Sequence, residues 1–350
     1  MKTPSPLRGR GSANNPKNRF EKVERVPEPL DADETSSPAT TFLPDSSKSI
    51  VAYNDSPDVG FDASVNPYRG CEHGCIYCYA RPTHEYLGFS AGLDFETKIM
   101  VKADAPELLR KELSNPKWEP RVLAMSGVTD CYQPVEKKLQ LTRRCLEVLL
   151  EFRNPVTIVT KNYLVTRDID ILSELARHQC AAVFISLTTL DEKLSGLMEP
   201  RASRPARRLA AIAALSQAGI PVGYLQAPMI PGLTDSEAPA IAQVAAKAGA
   251  RYAGYVALRL PHAVKSLFED WLERNYPDKK NKVLNRIRAI RGGNLNDPQF
   301  NSRMRGEGIF AEQMKELFRV ACKKAGIRER SPELSTEHFR RPKEQLKLFA

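Results

Sequence analysis

The chain has 350 residues, of which 52 are Lys or Arg and 42 are Asp or Glu, so its formal net charge is +10. It contains no run of about 18 apolar residues, and the sequence therefore predicts neither a transmembrane helix nor a membrane partner. Its N-terminus lacks the apolar segment of a secretory signal, which leads us to expect a cytoplasmic protein in a reducing compartment.

Composition divides the chain into four parts. Residues 1–47 are rich in Pro, Ser, Asn and charged residues, and a segment with so few aliphatic side chains is expected to be a disordered tail. Residues 48–260 are the predicted core, residues 261–335 a basic helical extension, and residues 336–350 a C-terminal tail.

Strands and helices alternate through the core. The predicted strands are 50–53, 61–67, 97–101, 121–125, 156–160, 181–187, 220–226 and 252–260. The predicted helices are 105–113, 135–152, 168–177, 205–218 and 237–248. This alternation predicts an α/β fold with a parallel sheet and right-handed crossovers. About six such units predict a partial (β/α)6 barrel, in which the chemistry is expected at the carboxyl ends of the strands.

A short cysteine-rich stretch follows the second predicted strand. Cys71, Cys75 and Cys78 lie within eight residues with the spacing C-x3-C-x2-C, and Gly70 and Gly74 give this loop the freedom to wrap around a metal. Thiolate ligands select iron–sulfur clusters or zinc over hard cations. Three cysteines leave one iron of a four-iron cluster open to another ligand, whereas a structural zinc site takes four protein ligands.

Zinc is the alternative for this stretch. Cys71, His73, Cys75 and Cys78 could together form a Cys3His zinc site. The crowding of all four ligands into eight residues, with no second ligand pair such as a nearby C-x2-C, argues against it. The pattern favours an iron–sulfur cluster.

The stretch from Asn66 to Arg81, N-P-Y-R-G-C-E-H-G-C-I-Y-C-Y-A-R, resembles the radical S-adenosylmethionine (SAM) superfamily. With the later T-D, T-K and A-P-x-I-P-G segments, it resembles the branch that contains spore photoproduct lyase. The resemblance covers about residues 49–260 and implies a [4Fe–4S] cluster whose open iron is chelated by the amino and carboxylate groups of SAM. It also implies that the reduced cluster passes one electron to the sulfonium, which releases a 5′-deoxyadenosyl radical. An electron donor such as flavodoxin or ferredoxin is then an expected partner.

The same resemblance implies SAM contacts after successive strands. The expected contacts are the Tyr77 backbone, Met229 and Ile230 at the adenine, Ser126 and Gly127 at the amino group, Lys161 at the carboxylate, and Ser186 and Arg201 at the ribose and carboxylate. Lys161 suits its role because a cation at a strand end can pair with a carboxylate.

The chain departs from that branch at one position. Spore photoproduct lyase uses a cysteine hydrogen donor near the place where this chain has Ser126 and Gly127. The nearest thiol here is Cys131, which is a candidate hydrogen donor with a structural role as the alternative. Radical initiation therefore carries over from the resemblance, whereas repair of thymine dimers does not.

The last quarter of the chain is basic. Residues 261–350 contain 20 Lys or Arg against 12 Asp or Glu, an excess of eight, and helices are predicted at 264–274, 282–291 and 310–325. Such a module suggests an anionic partner, with DNA the first candidate and a merely solubilising surface the alternative.

The tail ends in Q-L-x-L-F at Gln345–Phe349. This pattern resembles the peptide with which bacterial replication and repair proteins bind the DNA sliding clamp, since an extended peptide can place alternate side chains in a groove. A tail that folds back on its own barrel is the alternative.

Three functions follow from these observations. The first is a radical SAM enzyme that acts on DNA in repair or modification, and the second is the same chemistry on a peptide or small molecule. The third is a non-catalytic metal-binding adaptor for nucleic acid. The identity of the metal separates the third from the others, and DNA binding that weakens steeply with salt separates the first from the second.

Overall fold

The computed structural model describes residues 7–22 and 38–342. Its strands are β1 (Thr41–Pro44), β2 (Val51–Tyr53), β3 (Ala63–Val65), β4 (Tyr68–Arg69), β5 (Lys98–Val101), β6 (Leu123–Met125), β7 (Val156–Thr160), β8 (Ala181–Ser186), β9 (Val222–Met229) and β10 (Tyr252–Ala257). Its α-helices are α1 (Leu93–Thr97), α2 (Ala105–Ser114), α3 (Glu136–Leu139), α4 (Leu141–Phe152), α5 (Ile169–Arg177), α6 (Glu192–Met198), α7 (Pro205–Gln217), α8 (Ala238–Lys247), α9 (Val264–Asn275), α10 (Pro277–Ala289), α11 (Ser302–Arg305) and α12 (Ile309–Ala325).

Seven of these strands form the main sheet, in the order β10-β9-β8-β7-β6-β3-β2. Six neighbouring strands from β3 to β10 pair in parallel, and β2 adds an antiparallel edge to β3. Every residue of β3, β6 and β8 is buried, as expected for strands covered on both faces. The predicted partial (β/α)6 barrel is confirmed.

Two predicted elements differ from the structure. Residues 98–101 form β5, but this strand pairs with β1 and β4 in a separate three-stranded sheet and does not enter the barrel. The predicted helix 135–152 is two helices, α3 and α4, because Gln140 between them has a left-handed φ of 53°. Hydrophobic periodicity continues across such a break, so the sequence pattern does not reveal it.

The expectation of a disordered tail at residues 1–47 needs correction for the described residues. The backbone N–H groups of Gly11 and Ser12 donate to the buried carboxylate of Glu96 over 3.0 and 2.9 Å, and strand β1 pairs in parallel with β5. This polar segment is thus ordered by hydrogen bonds to a buried acid, a source of stability that its lack of aliphatic residues does not reveal.

The basic extension packs on the barrel through two apolar surfaces. Helices α9 and α10 contribute Leu267, Trp271 and Ile287 to a buried cluster that also contains Ile76 and Tyr77 of the cysteine-rich loop. Helix α12 contacts α8, and its Phe318 ring lies 4.9 Å from the ring of Tyr255 in β10. The extension therefore closes one side of the barrel beside the cysteine-rich loop.

Across the described ranges, no helix has both the length and the apolar character needed to cross a membrane. The predicted clamp-binding peptide Gln345–Phe349 lies outside the described residues.

Candidate metal centre at the barrel mouth

The carboxyl ends of the six parallel strands meet at one edge of the sheet, which we call the barrel mouth. The sequence-predicted site residues follow or end these strands: the cysteines after β3, Ser126 and Gly127 after β6, Lys161 after β7, Ser186 at the end of β8, and Met229 and Ile230 at and after the end of β9. The parallel pairing brings strand ends that are far apart in sequence to one face, which is where barrel enzymes carry their chemistry.

The cluster loop, residues 70–80, requires glycine at two turns. Gly70 has φ +79° and Gly74 has φ +66°, in the left-handed region that other residues rarely adopt. A Cβ on Gly70 would meet the backbone oxygen of Phe95 at 2.9 Å, and a Cβ on Gly74 would meet the Glu96 carboxylate at 2.6 Å. The predicted role of both glycines is confirmed.

One buried ion pair stabilises the backbone conformation of the cluster loop. The guanidinium of Arg81 pairs with Glu96 over 2.5 Å, and both side chains are fully buried. Arg81 also donates to the backbone oxygens of Gly74 and Cys75, which fixes the backbone on either side of the second cysteine. The position of the cysteines thus depends on an interaction outside the cysteine motif.

Asp130, in the loop after β6, also stabilises the cluster loop. The Asp130 carboxylate lies 3.2 Å from His73 Nδ1 and accepts hydrogen bonds from the Lys161 backbone and the Thr160 hydroxyl. Burial opposes its ionisation, but His73 and these hydrogen bonds lower the pKa of Asp130 to about 2. The ionised Asp130 therefore links the strand ends of β6 and β7 to the middle of the cluster loop.

The three motif cysteines lie in a buried region where a positive charge is needed to make them all thiolates. Burial raises the pKa of Cys71 well above its usual value, with further contributions from Asp130 and the two neighbouring thiols. Burial likewise raises the pKa of Cys75 to about 12, a shift that the cation of Lys161 opposes. Burial also raises the pKa of Cys78, opposed by Arg81.

These features fit an iron–sulfur cluster. Cys71, Cys75 and Cys78 are free thiols on one loop, the soft ligand set that such a cluster takes. In a four-iron cluster each cysteine binds a different iron, so the ligands are spread over a larger group. The iron would supply the positive charge that the three buried thiols otherwise lack.

Tyr77 belongs to a buried polar network beside the cysteines. Its hydroxyl donates to the carboxylate of Glu199, which also accepts from Thr188 over 2.8 Å and pairs with the buried Arg208. Burial disfavours the charged acid, but Arg208 and Lys161 lower the pKa of Glu199 to about 2. The Lys161 ammonium lies 5.8 Å from the centre of the Tyr77 ring, which places a cation next to Cys75.

Ser126 and Gly127 lie opposite the third cysteine. Ser126 has a left-handed φ of 89°, which is unusual for a residue other than glycine, and its Oγ accepts the Cys131 backbone N–H over 3.0 Å. The Tyr79 hydroxyl, one residue past Cys78, donates to the Gly127 backbone oxygen over 2.6 Å. Gly127 therefore borders the cluster loop, and the SAM contacts expected of Ser126 and Gly127 stay a prediction.

The candidate hydrogen donor Cys131 is fully buried within the main core. Burial raises the pKa of its thiol well above the usual value, so the sulfur keeps its hydrogen at neutral pH, as a hydrogen donor must. Its role stays a prediction.

The other residues predicted to contact SAM range from a partly exposed arginine to fully buried apolar side chains. Arg201 pairs with Glu72 of the cluster loop over 3.0 Å and donates to Thr40. Ser186 is buried, and its backbone oxygen accepts from Arg208. Met229 and Ile230 are both fully buried, and Ile230 packs in the apolar cluster that contains Tyr77.

Several residues of the site are absent from the sequence-based set. Arg81, Glu96, Glu199 and Arg208 form two buried ion pairs that hold the cluster loop and the network at Tyr77. The only sequence signals were Arg81 just after the cysteines and Glu199 after β8, because the partners lie 15 and 9 positions apart in different elements and no helical or strand spacing relates them. Their pairing depends on the fold.

Comparison with known proteins identifies the class. The profile of the radical SAM superfamily matches residues 65–245, which include the cluster loop and most of the barrel. The chain belongs to the radical SAM superfamily and is a radical SAM enzyme, with a [4Fe–4S] cluster and SAM as its cofactors. When bound, this cofactor pair supplies one-electron reductive cleavage of SAM, which gives a 5′-deoxyadenosyl radical able to abstract hydrogen. Cys71, Cys75 and Cys78 would hold the cluster.

Individual proteins resemble this chain over much of its length. An uncharacterized protein of Mycobacterium tuberculosis is 36% identical over 249 residues, which are 70% of this chain and 72% of that protein. An uncharacterized protein of Methanocaldococcus jannaschii is 28% identical over 222 residues, 63% of this chain and 79% of the relative. Among solved structures, spore photoproduct lyase complexed with dinucleoside spore photoproduct superposes with a TM-score of 0.58 at 15% identity, covering 82% of this chain and 81% of the other. That similarity supports the fold.

Proposed function

We propose that this radical SAM enzyme acts on nucleic acid and abstracts hydrogen from a nucleotide held at the barrel mouth. The observation that carries the proposal is the position of the basic extension. Helices α9 and α10 pack against Ile76 and Tyr77 of the cluster loop, and Trp271 of α9 also donates from its indole nitrogen to the Leu197 backbone oxygen of α6 over 3.0 Å. The basic extension is therefore anchored beside the cluster loop, which supports the proposal that its positive charge attracts a polyanion to the barrel mouth.

Guanidinium groups paired with aromatic rings support the same substrate class. Arg259, two residues past the end of β10, lies 5.5 Å from the Tyr79 ring, and Arg303 lies 4.4 Å from the ring of Phe300, which is 50% exposed. Aromatic rings next to arginines are the groups on which proteins stack bases and bind the phosphate backbone of single strands.

A third group of this kind follows the cluster loop. The exposed rings of Phe20 and Tyr86 stack with 4.8 Å between their centres, and Arg19 lies over Phe20. Arg19 also contacts His262 shortly past β10, which links this group to the start of the extension. Spore photoproduct lyase, a protein of similar fold, is complexed with a dinucleoside, which fits a nucleic-acid substrate at this barrel mouth.

Binding and turnover test the proposal. We expect labelled single-stranded DNA to bind the cluster-loaded protein under anaerobic conditions, with an affinity that falls steeply between 50 and 200 mM salt, by roughly 300-fold if about six phosphates are contacted. We also expect nucleic acid to stimulate release of 5′-deoxyadenosine and to transfer deuterium from labelled nucleotides into it. Single-stranded RNA and duplex DNA serve as comparison substrates.

The opposite results would support a peptide or small-molecule substrate. Binding that is insensitive to salt, together with 5′-deoxyadenosine release that nucleic acid leaves unchanged, contradicts the proposal. A Cys71, Cys75 and Cys78→Ala variant is the control, because it retains the basic extension and lacks the cluster ligands.

The partners and location predicted from the sequence belong to the same proposal. A flavodoxin or ferredoxin would deliver the electron that reductive cleavage of SAM requires. The Gln345–Phe349 peptide would bring the enzyme to DNA by binding the sliding clamp, and both would act in the cytoplasm. Pull-down of purified clamp by the wild-type chain, lost on Leu348→Ala, tests the clamp contact.

A further inference from the structure

A cationic side chain without an acidic partner lies beside the cluster loop. Arg259 follows the last barrel strand, and its guanidinium lies over the ring of Tyr79, the residue next to Cys78. In the part of the chain that the structure describes, Arg259 forms no close ion pair, although the charges of Asp58 and Asp297 reach it, and its buried Nε has no hydrogen-bond partner. Its Nη1 donates a hydrogen bond of 3.4 Å to the Met304 sulfur, a weak acceptor.

A second buried arginine lies next to it. Arg291 is 4% exposed, and its terminal nitrogens donate to the backbone oxygens of Ala257, Leu258 and Ser302. Its Nε also lacks a partner among the described residues. Burial and the nearby charge of Arg259 lower the pKa of Arg291 to about 10, although Asp297 opposes this shift. Both arginines have an Nε without a hydrogen-bond partner, and Asp58 and Asp297 offset their charge only from a distance, so a phosphate bound at Arg259 would be stabilised.

A cavity lies beside Arg291, the arginine whose charge interacts with that of Arg259. It has a volume of about 460 Å³, and its lining includes Arg291, Asn294, Asn296, Gln299 and Phe300. Side-chain amides offer both donors and acceptors, and half of the Phe300 surface is exposed to solvent. Asp297 and Glu307 also line the cavity, so their negative charges would repel a bare anion inside it. A neutral polar heterocycle, such as a nucleobase, matches this lining and size better.

From these contacts we infer that Arg259 and the adjoining cavity form the binding site for one nucleotide of the substrate. The Arg259 guanidinium binds the phosphodiester, and the cavity takes the base against Phe300. The Tyr79 ring packs against the Arg259 guanidinium and thereby connects this site to the cluster loop. The inference rests on the proposed function, since it names the residues that hold the nucleic acid at the radical centre.

The test uses the full chain with its cluster under anaerobic conditions and a fluorescein-labelled single-stranded oligonucleotide. Arg259→Gln is expected to weaken binding roughly tenfold and to reduce the slope of log affinity against log salt by about 0.7, the value for one lost phosphate contact on a single strand. Arg259→Lys keeps the charge and is expected to retain most of the slope. Arg319→Gln is the matched control, because Arg319 lies on α12 and pairs with Glu316.

A separate experiment tests the part of the site that binds the base. An oligonucleotide with a single abasic position is expected to bind the wild type several-fold more weakly than the intact strand when that position is scanned through the footprint. Phe300→Ala is expected to abolish this difference, because base stacking on an aromatic ring is worth about 1–3 kcal/mol. An equal abasic penalty in the variant overturns the cavity assignment.

Each outcome separates the inference from the proposed function. If the wild type binds no oligonucleotide, the proposed function fails and the site fails with it. If the wild type binds and Arg259→Gln binds equally well, the site is wrong while the proposed function stands. The SAM-dependent change in the cluster's EPR spectrum is recorded for each variant. An unchanged spectrum together with weaker binding assigns the loss to the nucleotide site, and loss of the spectral change in both Arg259 variants overturns the inference in favour of a structural role.

Discussion

The buried Arg81–Glu96 pair gives the sharpest prediction on how the cluster loop is held. The Arg81 side chain makes five hydrogen bonds within the described residues, to the backbone oxygens of Gly74, Cys75, Ala91 and Gly92 and to Glu96. Arg81→Met removes all of them and leaves the Glu96 carboxylate buried without its cation. Removal of one partner from such a pair lowers the free energy of unfolding by about 3–5 kcal/mol.

An exposed pair of equal length is the matched control. Arg110 and Glu151 also lie 2.5 Å apart, but their side chains are 47% and 36% exposed. Arg110→Met should lower the free energy of unfolding by about 0–1 kcal/mol, since solvent screens an exposed pair. Because the distance is the same in both pairs, the difference between the two variants measures the combined effect of burial and of the backbone hydrogen bonds that only Arg81 makes.

Urea denaturation and iron content provide the assay. Both variants and the wild type are unfolded anaerobically, and iron and sulfide are quantified on the folded protein. We expect Arg81→Met to lose both stability and most of its iron. Adding Glu96→Gln should recover part of the stability, because it removes the uncompensated charge. The reasoning is refuted if Arg81→Met lies within 1 kcal/mol of Arg110→Met and keeps the full complement of iron.

Three further predictions follow from the same site. Lys161→Met should weaken SAM binding roughly 10- to 100-fold in equilibrium dialysis while iron content stays unchanged, with partial recovery in Lys161→Arg, and equal SAM affinity would refute the carboxylate pairing. Glu199 has a pKa of about 2 against an ordinary 4.5, so its stabilising effect is present above pH 4.5 and is lost as the pH falls toward 2. Glu199→Gln should therefore reduce the fall in unfolding free energy across that window by about 3 kcal/mol in urea titrations, and parallel curves for the two proteins would contradict the assignment. Gly11→Ala places a Cβ against the Gly74 backbone oxygen and should destabilise the protein by about 1–3 kcal/mol, whereas Gly60→Ala, which meets nothing within 4 Å, should not.

Much of the fold could be predicted from local sequence patterns. Strand β7 matches its predicted bounds, and helix α7 ends just before Gly219, whose φ of +74° fits a helix end. Buried parallel strands carry continuous apolar runs, and the crossover helices carry clear periodicity, so alternation alone was sufficient for the barrel. The cluster loop was equally predictable. Its three cysteines and two glycines lie in one short stretch, so the motif can be recognised without knowing which distant residues contact it.

The parts that the sequence did not reveal depend on contacts between distant residues. The fold of residues 7–22 depends on Glu96, and the nucleotide site depends on Arg259 meeting Tyr79, 180 positions earlier. A charged residue in a sequence has no visible partner until the chain is folded. Composition accordingly predicted disorder for a segment that a buried carboxylate orders.

The most direct test of the central claim is anaerobic spectroscopy of the purified chain. We predict about four irons and four sulfides per chain, an EPR signal of the reduced cluster that changes when SAM is added, and release of 5′-deoxyadenosine. All three should be lost when Cys71, Cys75 and Cys78 are replaced by alanine. Zinc in place of iron, or a cluster whose spectrum is indifferent to SAM, would contradict the account.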